Sequence, residues 1–278
     1  MNRATTNSRI PVRRMDFAFP TDLPRYWFKG NSWLTHFMNG MSAVFPDGER
    51  FFIETVRNFQ GQITDPHLQA QIRAFIGQEA NHGKEHEAFN ALLVEKHGLP
   101  LDRVVATVKR GLGFVRRRLN HKQQLAITIA LEHFTAILAN QLLEHPEIMV
   151  ELDSACGDMF LWHAVEETEH KAVAFDVYQA TGDDYWTRVL AMARVTVMFT
   201  AHQLYFQFML LRRDGKLTDY KSALGFLHYM LIDPGLALKI IPDYLAYYRR
   251  DFHPWQHDNR ALINRYIESY RSKELHVA

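Results

Sequence analysis

The sequence predicts an all-α protein, a four-helix bundle around a two-metal carboxylate site with additional helices at both ends. Three observations carry that reading. Strand signals are scarce, and long segments of helical period dominate the 278 residues. Two well-separated segments repeat one spacing, Glu79-x-x-His82 in FIGQEANHGKEH and Glu167-x-x-His170 in HAVEETEH. Residues three apart share a helix face at roughly 5–6 Å, so each Glu and His can reach one small ion. Finally, lone glutamates stand where such a bundle needs them. Glu54 lies in GERFFIETVRNF ahead of the first motif, and Glu132 lies in AITIALEHFTAIL between the two.

Taken in order, the first twenty residues lack the apolar stretch of a secretory signal. They form a basic, polar arm with Arg3, Arg9, Arg13 and Arg14, read as a flexible terminus. Pro20, Pro24 and Gly30 mark irregular structure around Tyr26, Trp27, Phe28 and Trp33. Residues 31–44 form a short helix stopped by Phe45-Pro46-Asp47-Gly48, and Asp47 caps a second helix over 48–61 that carries Glu54. Thr64-Asp65-Pro66 opens a long helix to His97, ended by Gly98 and Pro100. Asp102 caps 103–118, Asn120 or His121 starts the helix bearing Glu132, and 147–180 is one helix carrying the second motif. Beyond it come helical segments at 184–213, 218–231, 234–250 and 258–273. The organisation is one structural domain: 1–45 as arm and short helix, 46–182 as the di-metal core, and 183–278 as C-terminal helices packed on it.

The bulk composition narrows the function. Hydrophobic content of 47% and charged content of 23% suit a globular chain with a sizeable core, and a net charge of +1 gives no field for nucleic acid. The lone Cys156 excludes an intrachain disulfide and suits a reducing compartment, so a cytoplasmic location is expected. The most apolar stretch, 189–211, is interrupted by Arg194, His202, Gln203 and Gln207 and reads as a buried or interface helix rather than a membrane span. Tyr244, Tyr247, Tyr248 and Trp255 beside Arg249 and Arg250 leave a peripheral membrane contact open, and a homodimer is open as well.

The candidate ligands sit on stripes that otherwise point at a core. Ile72, Phe75, Glu79, His82, His86, Phe89 and Leu93 share one face. Cys156, Phe160, His163, Glu167, His170, Ala174 and Val177 share another. Polar groups facing a core need partners, and a metal satisfies Glu and His together. A second register, pairing Glu166 with His170 at i,i+4, stays open; Glu167 is preferred because it repeats the pitch of the first motif. Glu132 has almost only apolar or small neighbours, so its carboxylate must be protonated, paired or metal-bound. Glu54 is the weaker member, with Glu49 and Arg50 nearby as a surface ion pair. His86 and His163 exceed a six-ligand set and serve as ligands or as hydrogen-bond partners of ligands. This carboxylate-rich donor set suits two iron ions, with manganese or zinc as alternatives.

The pattern over residues 48–180 resembles the ferritin-like di-iron carboxylate superfamily. His163-x3-Glu167-x2-His170 looks like the extra-histidine site of the p-aminobenzoate N-oxygenase type. That resemblance implies a peroxo-di-iron oxidant held by Glu54, Glu79, His82, Glu132, His163, Glu167 and His170. The wording FPDGERFFIETVR, FIGQEANHGKEH and WHAVEETEHKAVAFDVY, and the FHPW segment at 252–255, is similar to a bacterial family labelled predicted metal-dependent hydrolase. The leading expectation is an O2-activating oxidoreductase acting on a small organic substrate with an external electron donor. The alternatives are a metal-dependent hydrolase, with Glu166 as catalytic base beside a two-metal-activated water, and a non-catalytic iron-binding or membrane-peripheral protein.

Overall fold

A computed structural model describes residues 10–277 except 146 and 151, so Arg3 and Arg9 lie outside the described residues. Among those described the protein is all-α, with a single isolated bridge between Phe28 and Leu152. The helices in chain order are α1 (Ser32–Gln60), α2 (Pro66–His97), α3 (Leu101–Arg118), α4 (His121–Glu144), α5 (Glu147–Val150), α6 (Ser154–His170), α7 (Val173–Ala180), α8 (Tyr185–Arg213), α9 (Tyr220–Leu231), α10 (Leu236–Lys239), α11 (Ile241–Ala246) and α12 (Arg260–Val277). Their ends follow local chemistry. Asp65 accepts the His67 amide ahead of Pro66, and Gly98 closes α2 at φ 63°, a conformation that favours glycine. Asn120 and Gln123 form a reciprocal capping box at the start of α4, and Asp184 accepts two amides at the start of α8.

The largest departure from the sequence reading is α1. Residues 31–44 and 48–61 are not two helices, because Ser32–Gln60 runs unbroken through Pro46, and the expected boundary at 45/46 lies inside it. A proline deprives the carbonyl four residues back of its donor. Here that carbonyl belongs to Ser42, and the Asn90 side-chain amide of α2 donates to it at 2.9 Å. A neighbouring helix thus supplies the missing hydrogen bond, and the proline is accommodated.

Three smaller departures have equally local causes. The helix predicted over 147–180 is three pieces: Asp153 caps α6 afresh, and a turn at Lys171–Ala172 separates α6 from α7. That turn holds the buried Lys171 ammonium against the His257 carbonyl and Asn259. Asp102 lies inside the first turn of α3 and does not cap it. Residues 234–250 contain only α10 and α11, since Pro242 at the start of α11 cannot extend the hydrogen-bond ladder of α10.

Helices α1, α2, α4 and α6 enclose the interior. One apolar cluster includes Phe51, Phe75, Leu125, Ile129 and Val173; another includes Trp27, Phe89, Leu93, Met159 and Phe160. Along α2 the polar residues 79, 82 and 86 separate Phe75 in one cluster from Phe89 in the other. Along α6 and into α7, residues 163–170 separate Phe160 from Val173 in the reverse order. A polar band therefore crosses the bundle between two apolar clusters.

Helix α8 packs on α1 and α4 and seats Gln203 against the Phe37 carbonyl beside Gly40. Its inner face buries Met192, Phe206 and Leu210, while its outer face exposes Leu190, Val197, Leu204, Tyr205 and Phe208. The stretch read as a buried or interface helix is thus buried on one side. Among the described residues, two helical stretches are long and apolar enough to cross a membrane by length and composition. They are His121–Glu144, 72% buried, and Tyr220–Ala246, only 22% buried. The first is α4, an inner helix of the bundle.

Candidate metal centre

Four helices deliver side chains to the polar band. Glu49 comes from α1, Glu79 and His82 from α2, Glu132 from α4, and His163, Glu167 and His170 from α6; all are buried. Their donor atoms fall into two groups, Glu49 with His82 and His163, and Glu79 with Glu132, Glu167 and His170. Within each group one donor atom per residue lies within 4.8 Å of the others. Glu167 stands between the groups. Its Oε1 is 3.4 Å from His82 Nδ1 and 3.1 Å from His163 Nε2, while its Oε2 is 3.6 Å from His170 Nε2. On the far side His170 Nε2 lies 3.0 Å from Glu79 and 3.7 Å from Glu132.

Glu54 is not part of this assembly, and Glu49 holds the place assigned to it. Glu54 is 41% exposed and accepts from Arg116 at 2.8 Å. The cause is helix phase. At 3.6 residues per turn, position 54 lies about 140° round the axis from position 49. The buried stripe of the unbroken α1 runs through Ser42, Pro46, Glu49, Phe52, Val56 and Phe59. Gly83 of α2 makes room for that approach, because a Cβ there would stand 3.0 Å from Glu49 Oε2 and 3.8 Å from Pro46 Cα.

The outward nitrogens of the histidines are held by hydrogen bonds, which fixes what faces inward. His163 Nδ1 lies 2.8 Å from His86 Nε2, and His86 Nδ1 lies 2.9 Å from Ser42 Oγ, whose hydroxyl donates to Asn90. His86 thus sits behind His163 and outside both groups. His82 Nε2 reaches Glu166 Oε2 at 3.1 Å, and His170 Nδ1 reaches Gln78 Oε1 at 2.8 Å. Glu166, the predicted base, is buried with its other oxygen held by Arg13 at 3.0 Å. Both its oxygens are engaged, and it pairs with His82 rather than with His170. Aromatic rings wall the band: Trp162 lies edge-on to His82, Phe75 edge-on to His170, and Phe45 against His86 and His163.

The electrostatics show the strain of this arrangement. Burial raises the carboxyl pKa of Glu49, Glu79 and Glu132, and repulsion from neighbouring carboxylates adds to it, so that Glu49 and Glu132 stand well above the usual range. Burial acts against Glu167 as well, but the charge of His170 and the close imidazoles of His163 and His82 hold it well below. Burial would depress His82; the hydrogen bond to Glu166 and the neighbouring carboxylates of Glu167 and Glu79 overcome it and lift the imidazole to about 10. His163 is pushed down to about 4 by burial and by the adjacent His82.

These residues fit metal ions. Nine buried donor atoms of the band have no hydrogen-bond partner among the described residues: both oxygens of Glu49, Glu79 and Glu132, Glu167 Oε2, His82 Nδ1 and His170 Nε2. Orphan polar atoms at such burial are costly one by one, and here they converge. Four carboxylates also carry the charge that two divalent cations would neutralise.

The chain belongs to a family described as predicted metal-dependent hydrolases, whose model matches residues 11–258. No curated protein and no solved structure matches it.

Proposed function

We propose that this member of the predicted metal-dependent hydrolase family is a dinuclear metal enzyme whose ions are held by Glu49, Glu79, His82, Glu132, His163, Glu167 and His170. The nine converging donor atoms that no hydrogen bond engages carry that reading. Glu167, whose oxygens face both groups, would serve both ions, and the other six would each hold one. The family description favours hydrolysis as the reaction. Two bound ions would supply a water acidified toward neutrality and Lewis-acid polarisation of the substrate. The chain's own contribution is positioning and exclusion of bulk water. Glu166 and Gln78 orient His82 and His170, His86 orients His163, and Trp162, Phe75 and Phe45 keep the band dry.

A second reading, O2-dependent oxidation of a small organic substrate with an external electron donor, has one specific support. The donors are four carboxylates and three imidazoles with no thiolate, a set that suits iron or manganese in more than one oxidation state.

Elemental analysis after anaerobic loading with Fe2+, Mn2+ or Zn2+ tests the centre itself. About two ions per chain are expected, and uptake below one ion per chain overturns the proposal. Turnover of nitrophenyl ester or phosphoester probes without O2 identifies the hydrolase. Stoichiometric O2 uptake by the Fe2+-loaded protein, with no turnover of such probes, identifies the oxidase instead.

A further inference from the structure

The arm read as a flexible terminus is laid along the centre over residues 10–19. Val12 fills the space left by Gly77, where a Cβ would stand 2.9 Å from it. The Gln78 amide donates to the Pro11 carbonyl and the Asn81 amide to the Arg13 carbonyl, each at 2.8 Å. The Phe17 amide donates to Glu85, and its ring packs on Trp162. The family match begins within this strap, at residue 11.

Arg13 reaches from the strap into the hydrogen bonds behind the histidines. It donates to Glu166 at 3.0 Å and forks onto both oxygens of Glu169 at 2.8 and 2.7 Å. Glu169 accepts from Gln78 Nε2 at 2.9 Å. The result is one continuous chain: His82, Glu166, Arg13, Glu169, Gln78, His170. Its directions are fixed. Gln78 Nε2 already donates to Glu169 and Pro11, so Oε1 is the acceptor and His170 Nδ1–H the donor. Glu166 only accepts, so His82 donates through Nε2. The nitrogens left over, His82 Nδ1 and His170 Nε2, lie among the carboxylates.

We propose that Arg13 is a positioning residue of the metal centre: through Glu166, and through Glu169 and Gln78, it sets which nitrogen His82 and His170 present to the ions. The inference rests on the dinuclear reading. Arg13 also neutralises carboxylates beside a centre that already holds four. Without it, Glu166, with no exposed side-chain surface, would keep only His82 as a charged partner. Lysine is no substitute, because one ammonium cannot span the Glu166 oxygen and the two Glu169 oxygens as a guanidinium does.

The test loads full-length wild type, R13Q, R13K and V12A with Co2+. It records stoichiometry, retention against a chromophoric chelator, and the visible spectrum of the bound Co2+. R13Q is expected to weaken retention of at least one ion by about 10- to 100-fold and to alter the spectrum, with R13K recovering little. V12A, which trims the contact with Gly77 but removes none of the network's hydrogen-bonding groups, should stay near wild type. If R13Q does not fold, E169Q, which cuts one arm of the chain, carries the same expectation. Unchanged retention and spectrum in R13Q overturn the inference alone, as does a V12A effect equal to that of R13Q. Failure of the wild type to take up ions overturns the dinuclear reading and this inference together.

Discussion

Glu49, His82 and His163 form a nitrogen-rich group of two imidazoles and one carboxylate. Glu79, Glu132 and His170 form an oxygen-rich group of two carboxylates and one imidazole, and Glu167 faces both. The two groups also depend on different parts of the chain. The nitrogen-rich group needs α1 to pass close over Gly83 and needs the His86–Ser42–Asn90 chain behind His163. The oxygen-rich group is supplied by α2, α4 and α6 without α1, and its Glu132 lies on α4 beside Leu125, Ile129 and Ala136. Imidazole-rich sites hold later first-row ions more firmly, whereas carboxylate-rich ones suit manganese and magnesium. The halves of the centre should therefore differ in affinity and in metal preference.

The substitution that tests the division most severely is Glu167→Ala. It removes the one carboxylate with an oxygen toward each group, so loss of both ions is expected. Elemental analysis of the reconstituted variant checks this, and retention of two ions would show that Glu167 does not bridge.

Next in size is Glu132→Ala, which should empty the oxygen-rich group and leave one ion. The metal-free protein should respond in the opposite sense. Burial and the neighbouring Glu79 raise the pKa of Glu132, whose two oxygens have no hydrogen-bond partner. Deleting that group should stabilise the apo fold by about 1–3 kcal/mol, less whatever the vacated space costs. Parallel urea unfolding of the two apo proteins measures the difference. Loss of both ions would mean that the two groups load as one unit, and the comparison between them would collapse.

What can be read from the sequence follows from how local each signal is. Glu79, His82, Glu167 and His170 are visible because a three-residue helical spacing brings Glu and His together whatever surrounds them. Glu132 is visible because a buried carboxylate among apolar neighbours needs a proton, a cation or a metal to be tolerated at all. Glu49 is hidden by Pro46-Asp47-Gly48, which has the local form of a helix stop and so resets the helical phase. What lets α1 continue is Asn90, 48 positions beyond the Ser42 carbonyl to which it donates. Arg13 is hidden for a similar reason, since its partner Glu166 is 153 positions away. The place of His86 behind His163 depends on which helix faces are apposed, and periodicity within one helix does not contain that.

The smallest effect sharpens the comparison most. Glu49 and Glu54 lie on the same helix, five positions apart, yet a dinuclear centre built on Glu49 leaves Glu54 outside it. Glu49→Ala should cost the ion of the nitrogen-rich group, because that group has no other carboxylate besides the shared Glu167. Glu54→Ala removes a half-exposed ion pair with Arg116, and such pairs contribute about 0.2–1 kcal/mol. Two ions should remain bound, and the thermal midpoint should hardly move. Metal content measured on both variants in one experiment decides the phase of α1. If Glu54→Ala lost an ion while Glu49→Ala kept two, α1 would have to break at Pro46 after all, and the nitrogen-rich group would have to be rebuilt around the other carboxylate.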